Sequence, residues 1–482
     1  MLCGILESDI PSDVMQSQNL QQSWKSRFSF ELTAGQESLI GEMADFIFSS
    51  SPLKLFILRG YAGTGKTSLI SSLVKTIPGF GINTVLLAPT GRAAKVFASY
   101  SGKPAYTIHK KIYFPGLSDD GHTSLILKQN PHRNTLFLID EASMIPEYSG
   151  RNDLFDTGNI LEDLIRYIYA AENCFAVFIG DTAQLPPVGL DISPALDAAK
   201  LSKNYGLLVQ EFELTDVVRQ PHASAILENA TLIREKLRRE ETGIPLFGPC
   251  NHSDFYRING SELEDALQDA YSNYGLENTV VLCRSNKRAN IFNREIRNRL
   301  LFRENEINAS DILMIVRNNY FWMEKGNNIE FIANGDMVEV RRIRRTSSLG
   351  DFHFADISFR WIDYPDEPDM ECKVLLNSIM SDSASLPSSD MRILAKHILE
   401  GQEIPSEKSL RKDEYFNALQ VKFAYAVTVH KSQGGQWDVV FIDQGYFTED
   451  MINTDYFRWL YTALTRASKK VYLVNFHDRF FK

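Results

Sequence analysis

The residues with the clearest chemical potential lie between positions 56 and 70, in the stretch FILRGYAGTGKTSLI. An apolar run ends at a glycine, a glycine-rich loop follows, and Lys66 and Thr67 open a segment whose apolar residues recur at helical spacing. Glycines let backbone N–H groups approach a phosphate closely, because a Cβ would block that approach. The pattern G-x-x-x-x-G-K-T between a strand and a helix therefore predicts a phosphate-binding loop. A glycine-rich turn without a ligand is the alternative, which the flanking strand and helix disfavour.

In such a loop the lysine contacts the β- and γ-phosphates, the threonine hydroxyl holds Mg²⁺, and the helix N-terminus adds a positive dipole. The residues predicted to bind ATP in this way are Gly60, Ala62, Gly63, Thr64, Gly65, Lys66, Thr67 and Ser68. The site also needs a carboxylate on a neighbouring strand, and TLFLIDEASM (135–144) supplies one. Asp140 would bind Mg²⁺ and Glu141 would act as general base. A solvated strand end is the alternative for this acidic pair.

Further apolar segments predict an α/β protein with two similar halves. The strand FAVFIGD (175–181) runs into GDTAQLPPVG, where Gln184 is placed to sense the γ-phosphate. Another strand, in TVLLAPTGRAAK (84–95), precedes TIHK (107–110). Four more apolar strands are predicted in the C-terminal part, at 279–286, 423–430, 437–443 and 469–476. Two α/β halves with ATP between them can close and open with each hydrolysis.

Composition restricts the class of protein. The chain has 482 residues, 44% apolar and 23% charged, as expected of a globular protein with several domains. Five scattered cysteines without a C-x-x-C pair predict reduced thiols and a cytoplasmic location. No apolar run is long enough for a membrane span, and the N-terminus does not resemble a secretory signal. The net charge of −10 argues against a passive nucleic-acid coat, although a locally basic channel is compatible with it.

Eight segments occur in an order that resembles the motif series of superfamily 1 helicases, in particular the B subgroup of RecD-like and Dda-like enzymes. They extend from about residue 30 to 470 and are GYAGTGKTS, LLAPTGRAA, TIHK, LIDEASM, GDTAQLPPVG, LTDVVRQ, YAVTVHKSQGGQWDVV and YTALTRA. The resemblance implies two RecA-like P-loop NTPase domains in tandem, with a β-hairpin pin insertion and an SH3-like β-barrel insertion. We expect the first motor domain at 1–205 (pin at about 110–134), the second at 206–307 and 418–482, and the barrel at 308–417.

The resemblance also assigns residues to the nucleotide. Arg219 and Arg466 correspond to arginines that contact the γ-phosphate from across the cleft. Surface ion pairs are the alternative for both. Gln36 corresponds to the family's adenine-reading glutamine, and with Thr33 it also fits a helix capping box. Gly435 matches a position that touches ATP ribose or phosphate, although the family more often has an acidic residue near the following position.

Single-strand binding needs hydroxyls, backbone amides, cations and flat groups on which bases can stack. The predicted contacts are Pro89, Thr90, Thr107, His109 and Lys110 in the first half, and Thr428, His430, Lys431 and Ser432 in the second. Taken alone, TIHK is typical of an ordinary helix start. Tyr113 and Phe114 could form the apolar face of the pin, whose alternative is a surface loop. The basic run RRIRR (341–345) fits either a phosphate contact or a solvated strand edge.

The function implied by the resemblance is an ATP- and Mg²⁺-dependent DNA helicase. The partners that it implies are single-stranded DNA and tailed duplex DNA. The direction, 5′ to 3′, follows only from the subgroup. We expect a monomer. A related motor that acts on RNA or remodels protein–nucleic acid complexes is the alternative, because phosphate tracking does not select the sugar. A P-loop phosphotransferase leaves the second α/β half without a role. A nucleic-acid scaffold with a decayed ATPase conflicts with the intact motif residues.

Overall fold

The computed structural model describes residues 12–117, 123–147, 159–216, 224–248, 254–323, 332–400, 406–410 and 412–481. Within these ranges the strands form two parallel sheets, a closed five-stranded barrel and a two-stranded hairpin. We call the part built on the first parallel sheet the first lobe and the part built on the second the second lobe. These elements confirm the predicted fold class.

The first lobe has a six-stranded parallel sheet in the order β3-β2-β6-β7-β1-β8. Its strands are β1 (Lys54–Gly60), β2 (Asn83–Ala88), β3 (Ala105–Thr107), β6 (Thr135–Ile139), β7 (Cys174–Gly180) and β8 (Leu208–Leu214). Its helices are α1 (Ser12–Lys25), α2 (Ala34–Phe48), α3 (Lys66–Thr76), α4 (Gly91–Ser101), α5 (Ile108–Ile112), α6 (Ile160–Tyr169) and α7 (Ala198–Tyr205). Successive residues of β1 enter opposite cores: Phe56 and Leu58 on one face, Leu55 and Ile57 on the other.

An antiparallel hairpin is inserted between α5 and β6. It consists of β4 (Tyr113–Leu117) and β5 (Thr123–Leu127), with Phe114 directly opposite Ile126. The predicted hairpin insertion is therefore present, and residues 118–122 of its turn lie outside the described residues.

The second lobe has a five-stranded parallel sheet in the order β16-β10-β17-β18-β9. Its strands are β9 (Phe255–Ile258), β10 (Thr279–Cys283), β16 (Ala426–Thr428), β17 (Trp437–Asp443) and β18 (Ala467–Val474). Its helices are α8 (Ala225–Arg238), α9 (Leu263–Tyr274), α10 (Asn286–Glu295), α14 (Val429–Ser432) and α15 (Thr454–Leu464).

The barrel consists of β11 (Ile312–Ile315), β12 (Met337–Leu349), β13 (Phe352–Trp361), β14 (Met370–Leu375) and β15 (Leu419–Phe423). Three helices precede the last strand: α11 (Asn377–Met380), α12 (Ser388–Glu400) and α13 (Glu407–Leu410). Buried side chains of the barrel and the second lobe form one continuous apolar cluster. The barrel is therefore packed onto the second lobe. A smaller, separate apolar cluster packs α12 against β13 and β14.

Two predicted domain boundaries differ from the structure. Strand β8 lies beyond residue 205 but pairs with β1, so it extends the first sheet. Strand β15 lies beyond residue 417 but closes the barrel against β11 and β14. The insert also contains helices, whereas the sequence indicated an all-β unit. A strand's apolar pattern does not specify its partner, because pairing is decided by tertiary packing. Among the described residues, no helix combines the length and apolar character needed to cross a membrane.

A buried ionic cluster joins the second lobe to the barrel. Asp311, just before β11, is fully buried and accepts hydrogen bonds from Arg297 (Nε, 3.2 Å), Arg303 (Nη1, 2.8 Å) and the Tyr425 hydroxyl (2.9 Å). The backbone N–H of Asn308 donates to the same carboxylate at 2.7 Å. One carboxylate thus satisfies groups from four segments of the chain.

We expect Asp311→Ala to destabilise the protein by about 3 kcal/mol, because it leaves two guanidinium groups without their buried counter-charge. The measurement is the urea midpoint, with Asp366→Ala, an exposed aspartate of the barrel region, as control. Equal midpoints for the two variants would contradict a structural role for the cluster.

Candidate functional site

The glycine-rich loop joins the end of β1 to the start of α3, as a phosphate-binding loop requires. Gly63 and Gly65 have φ angles of +80° and +85°, which glycine adopts without the cost that a Cβ imposes. Gly65 is also the N-cap of α3, so the first helical N–H groups face the loop. A Cβ on Gly63 would lie 2.7 Å from the Leu227 side chain of α8, which shows how closely the second lobe covers the loop.

The Lys66 side chain folds back onto the phosphate-binding loop. Its ammonium group donates hydrogen bonds to the carbonyls of Gly60 and Tyr61, the latter at 2.8 Å. Burial lowers the pKa of Lys66, and the negative charges of Asp181 and Asp140 oppose that shift. Protein carbonyls therefore hold this cation beside the predicted phosphate position.

The predicted Asp-Glu pair follows β6 directly. Asp140 accepts hydrogen bonds from the Tyr100 hydroxyl at 2.5 Å and from the backbone N–H of Glu141 at 2.9 Å. Burial raises the pKa of both carboxyls, and the nearby cations Lys66 and Arg466 act in the opposite direction. The φ of Glu141 is +51°, a left-handed conformation that costs a non-glycine residue roughly 1 kcal/mol. Such local strain is typical of functional positions.

Arg466 brings a second-lobe cation to this carboxylate pair. It is 4% exposed, and its Nη1 lies 3.7 Å from Oε1 of Glu141. The guanidinium also donates to the carbonyls of Thr462 at 3.1 Å and Gly435 at 3.3 Å. The surface ion pair that was the alternative for Arg466 is thus absent at this buried position. Arg219, the other predicted arginine, lies outside the described residues.

Gln184 follows β7 and is 8% exposed. Its Oε1 is buried and accepts no hydrogen bond from the described part of the chain. Asp181, three residues earlier, accepts hydrogen bonds from the N–H of Ala183 at 2.9 Å and from the Tyr461 hydroxyl at 2.7 Å. The loop that presents Gln184 is therefore held at its base by the second lobe.

Gln36 is almost fully buried and has two structural partners. Its side chain accepts the N–H of Thr33 at 3.1 Å, which completes a capping box at the start of α2. Its Nε2 donates to the carbonyl of Thr64 at 3.0 Å and so ties α2 to the phosphate-binding loop. The capping interpretation is confirmed, and the adenine role stays a prediction.

The predicted nucleic-acid track begins at three helix N-termini, each at the end of a parallel strand. Thr90 caps α4, Thr107 caps α5 and Thr428 caps α14, through hydroxyls that accept N–H groups three residues later. The first two lie in the first lobe and the third in the second. Exposed N–H groups at such termini favour anionic ligands.

A turn of the barrel lies against the lysines of this track. The Lys431 ammonium donates to Oδ1 of Asn334 at 2.8 Å, and the Lys110 ammonium lies 3.4 Å from Oδ2 of Asp336. Lys110 also lies 4.2 Å from the ring centroid of Tyr364. Lysines from both lobes thus contact the same Asn-Gly-Asp turn.

Comparisons with known proteins agree with this two-lobed arrangement. A family model described as an AAA domain matches residues 31–243, which include all strands of the first lobe. The model described as UvrD-like helicase C-terminal domain matches residues 423–474, which include three strands of the second lobe. The ATP-dependent RecD2 DNA helicase of Deinococcus radiodurans is 26% identical over 197 residues, and Dda, an ATP-dependent DNA helicase of phage T4, is 24% identical over 273.

These matches show that the chain is similar to superfamily 1 helicases of the B subgroup.

The matched regions differ in extent among relatives. The chain aligns with 24% of the length of RecD2 and 55% of that of Dda, in segments covering 40% and 54% of this chain. Uncharacterized protein R530 of Acanthamoeba polyphaga mimivirus is 24% identical, with 90% of this chain and 98% of that protein aligned. A solved structure of Pif1 helicase from Bacteroides with ADP-AlF3 and ssDNA is 16% identical, covers 94% of this chain and 95% of its own, and has a TM-score of 0.47.

Three residues that were predicted to contact nucleic acid are buried. Thr107 is 1% exposed, and its hydroxyl caps α5, as the ordinary helix-start interpretation requires. Ser432 is fully buried and donates to the carbonyl of Val429 at 2.8 Å. Tyr113 lies in the first-lobe core with its hydroxyl donating to Asp163 at 2.7 Å, so its assignment to the pin's apolar face is wrong. Alternation along β4 explains the error, because neighbouring residues face opposite sides.

Several other residues that were predicted to contact nucleic acid or ATP are more accessible. Phe114 is 40% exposed on the hairpin, His430 is exposed, and Pro89 is partly buried beside Thr90. In the nucleotide cleft, Thr67 and Ser68 are exposed on the first turn of α3. Gly435 is buried between Arg92 and Trp437, at the contact of the two lobes. In RRIRR, Arg341, Arg344 and Arg345 pair with barrel carboxylates, as expected of a solvated strand edge.

Sequence reasoning missed three groups in the cleft between the lobes: Asp181, Tyr100 and Tyr461. Asp181 had a usable signal, because it follows a buried strand just as Asp140 does. The two tyrosines had none. Their partners are 40 and 280 residues away along the chain.

His109 makes the stability of the protein depend on pH. Burial lowers the pKa of its imidazole from 6.5 to about 4. Between these values the unfolded chain binds a proton that the folded chain does not, so stability falls as pH decreases from 6.5 to 4. This pKa difference lowers the free energy of unfolding by at most about 3 kcal/mol over that pH range, and His109→Gln should remove the effect. We expect the urea midpoint of His109→Gln to fall less between pH 7 and 4.5 than that of the wild type. The control His353→Gln, which changes an exposed imidazole, should behave as the wild type does. An unchanged pH slope would contradict this assignment.

Proposed function

We propose that this chain is an ATP-driven motor that translocates on single-stranded DNA from 5′ to 3′ and unwinds duplex DNA. The observation that carries the proposal is the buried contact between Arg466 of the second lobe and Glu141 of the first. A cation that completes a nucleotide site from another lobe makes hydrolysis depend on lobe closure. A phosphotransferase with one lobe would have no use for this contact.

In the proposed nucleotide site, Lys66 exchanges its carbonyl partners for the β- and γ-phosphates. Glu141 accepts a proton from the attacking water, and Arg466 stabilises charge on the γ-phosphate. Gln184 supports the proposal because its buried Oε1 has no partner among the described residues and can orient that water. Gln36 would bind adenine only after releasing one of its present hydrogen bonds.

Mg²⁺ fits the oxygen ligands that the cleft offers. The Thr67 hydroxyl and the Asp140 carboxylate would hold it, and hard oxygen donors are what this cation prefers. When bound, it neutralises charge on the β- and γ-phosphates. The Tyr100 hydroxyl orients Asp140 for this purpose.

The proposed strand path follows the helix N-termini capped by Thr90, Thr107 and Thr428. Backbone N–H groups there, with Lys110 and Lys431, would bind phosphates of the strand. Because both lysines now contact the barrel turn, the strand would compete with Asn334 and Asp336 for them. One lobe would hold the strand while the other moves.

The hairpin is the proposed strand separator. Phe114 and Ile126 are cross-strand neighbours and are 40% and 38% exposed. This pair forms an apolar surface on the hairpin, which is inserted in the sequence between α5 and β6. Bases can stack on such a surface when a duplex opens.

DNA is proposed as the substrate because the RecD2 and Dda relatives are DNA helicases by name. The direction of movement follows from the subgroup. RNA, or a protein–nucleic acid complex, is the alternative, and no contact among the described residues favours it.

The experiment that tests the proposal is unwinding of duplexes that carry either a 5′ or a 3′ single-stranded tail, with ATP. We expect unwinding of the 5′-tailed duplex and ATP hydrolysis stimulated by single-stranded DNA. Preference for the 3′ tail would overturn the direction. Hydrolysis indifferent to every nucleic acid would overturn the motor.

Lys66→Ala provides the matched control for ATP dependence. It should lower hydrolysis about a hundredfold or more, because it removes the cation that neutralises the phosphates. Single-strand binding should remain, and Lys75→Ala, an exposed lysine on the same helix, should leave both activities unchanged. Normal hydrolysis by Lys66→Ala would refute the phosphate-binding assignment.

A further inference from the structure

Helix α15 of the second lobe contacts the Gln184 loop of the first lobe on both sides of that glutamine. The Tyr461 hydroxyl donates to Oδ2 of Asp181 at 2.7 Å. The Thr462 hydroxyl accepts the N–H of Leu185 at 2.9 Å. The contacts lie three residues before and one residue after Gln184. The loop is therefore fixed by two adjacent residues of a single helix.

The Tyr461 hydroxyl has a second first-lobe partner, because it also accepts the N–H of Ala62 at 2.9 Å. Ala62 belongs to the phosphate-binding loop. The Tyr461 hydroxyl therefore donates one hydrogen bond to the Gln184 loop and accepts one from the phosphate-binding loop. Tyr461 is 1% exposed and Thr462 is fully buried. The hydrogen bonds that their hydroxyls make with the first lobe are therefore shielded from water.

The same helix leads directly to Arg466. The Arg466 Nε donates to the carbonyl of Thr462 at 3.1 Å, so the arginine is oriented by the residue whose hydroxyl holds Leu185. A movement of α15 away from the first lobe would thus release the Gln184 loop and withdraw Arg466 together. Gln433 adds a further second-lobe contact, with its Nε2 donating to the carbonyl of Leu185 at 2.6 Å.

We propose that Tyr461 and Thr462 are positioning residues that place Gln184 for hydrolysis only when the lobes are closed. The inference rests on the proposed function and adds to it the contacts that couple lobe closure to ATP hydrolysis. Gln184 itself supports it, because a buried Oε1 without a partner among the described residues is costly unless a ligand or water uses it. Simple aromatic packing does not account for the Tyr461 hydroxyl, because phenylalanine would fill the same space.

The test compares Tyr461→Phe and Thr462→Val with Tyr271→Phe. Tyr271 is a second-lobe tyrosine on α9 whose buried hydroxyl makes no hydrogen bond with the described residues, so its variant controls for loss of a buried hydroxyl alone. We expect Tyr461→Phe and Thr462→Val to lower kcat for ATP hydrolysis about tenfold or more, with KM for ATP changed less than about threefold. Tyr271→Phe should leave kcat unchanged.

A double variant separates positioning from general stability. If Tyr461 acts through Gln184, Tyr461→Phe combined with Gln184→Ala should be no slower than Gln184→Ala alone. Multiplied losses in the double variant, or a kcat of Tyr461→Phe equal to that of Tyr271→Phe, would overturn the inference.

The outcomes also distinguish this inference from the proposed function. A wild-type enzyme that hydrolyses ATP without stimulation by nucleic acid would overturn the proposed motor function. Tyr461→Phe and Tyr271→Phe would then be compared by their rates of ATP hydrolysis without nucleic acid. A wild-type protein that does not hydrolyse ATP would overturn both.

Discussion

Charge burial between the two lobes is the constraint on which the rest of the structure depends. Two cations, Lys66 and Arg466, lie near three carboxylates, Asp140, Glu141 and Asp181. Arg466 and Asp181 are buried, and the other three groups are partly buried. Each of these charges would cost several kcal/mol if it were buried alone, so each needs a partner. At present the cations contact carbonyl oxygens and Glu141. A triphosphate could replace those partners, and we propose that this exchange makes closure depend on the nucleotide.

The remaining architecture links that cleft to a distant surface. The barrel shares its apolar core with the second lobe, so the two are expected to move together. Its Asn-Gly-Asp turn contacts Lys110 of the first lobe and Lys431 of the second. Opening of the cleft would therefore alter the surface on which the strand is proposed to lie. Mechanical coupling in this account needs only rigid units and a few polar contacts between them.

The sequence predicted what depends on local patterns. The phosphate-binding loop and the Asp140–Glu141 pair were identifiable because each follows an apolar strand within a few residues. Gln36 also fitted a capping box, because it follows Thr33 by three residues. Tyr461 was not predictable, since its role is defined by Asp181, 280 residues away. Strand β8 was assigned to the second domain, and Tyr113 to the apolar face of the pin. Both assignments were wrong because tertiary packing decides which strands pair and which face of a strand is buried.

The central claim is that an arginine of the second lobe completes a nucleotide site of the first. The most direct measurement is the affinity of wild type and Arg466→Ala for ADP alone and for ADP with aluminium fluoride, which imitates the transferred phosphoryl group. The account predicts that Arg466→Ala binds ADP as the wild type does and loses about a hundredfold in affinity for the aluminium fluoride complex. Equal affinity of both proteins for that complex would contradict it.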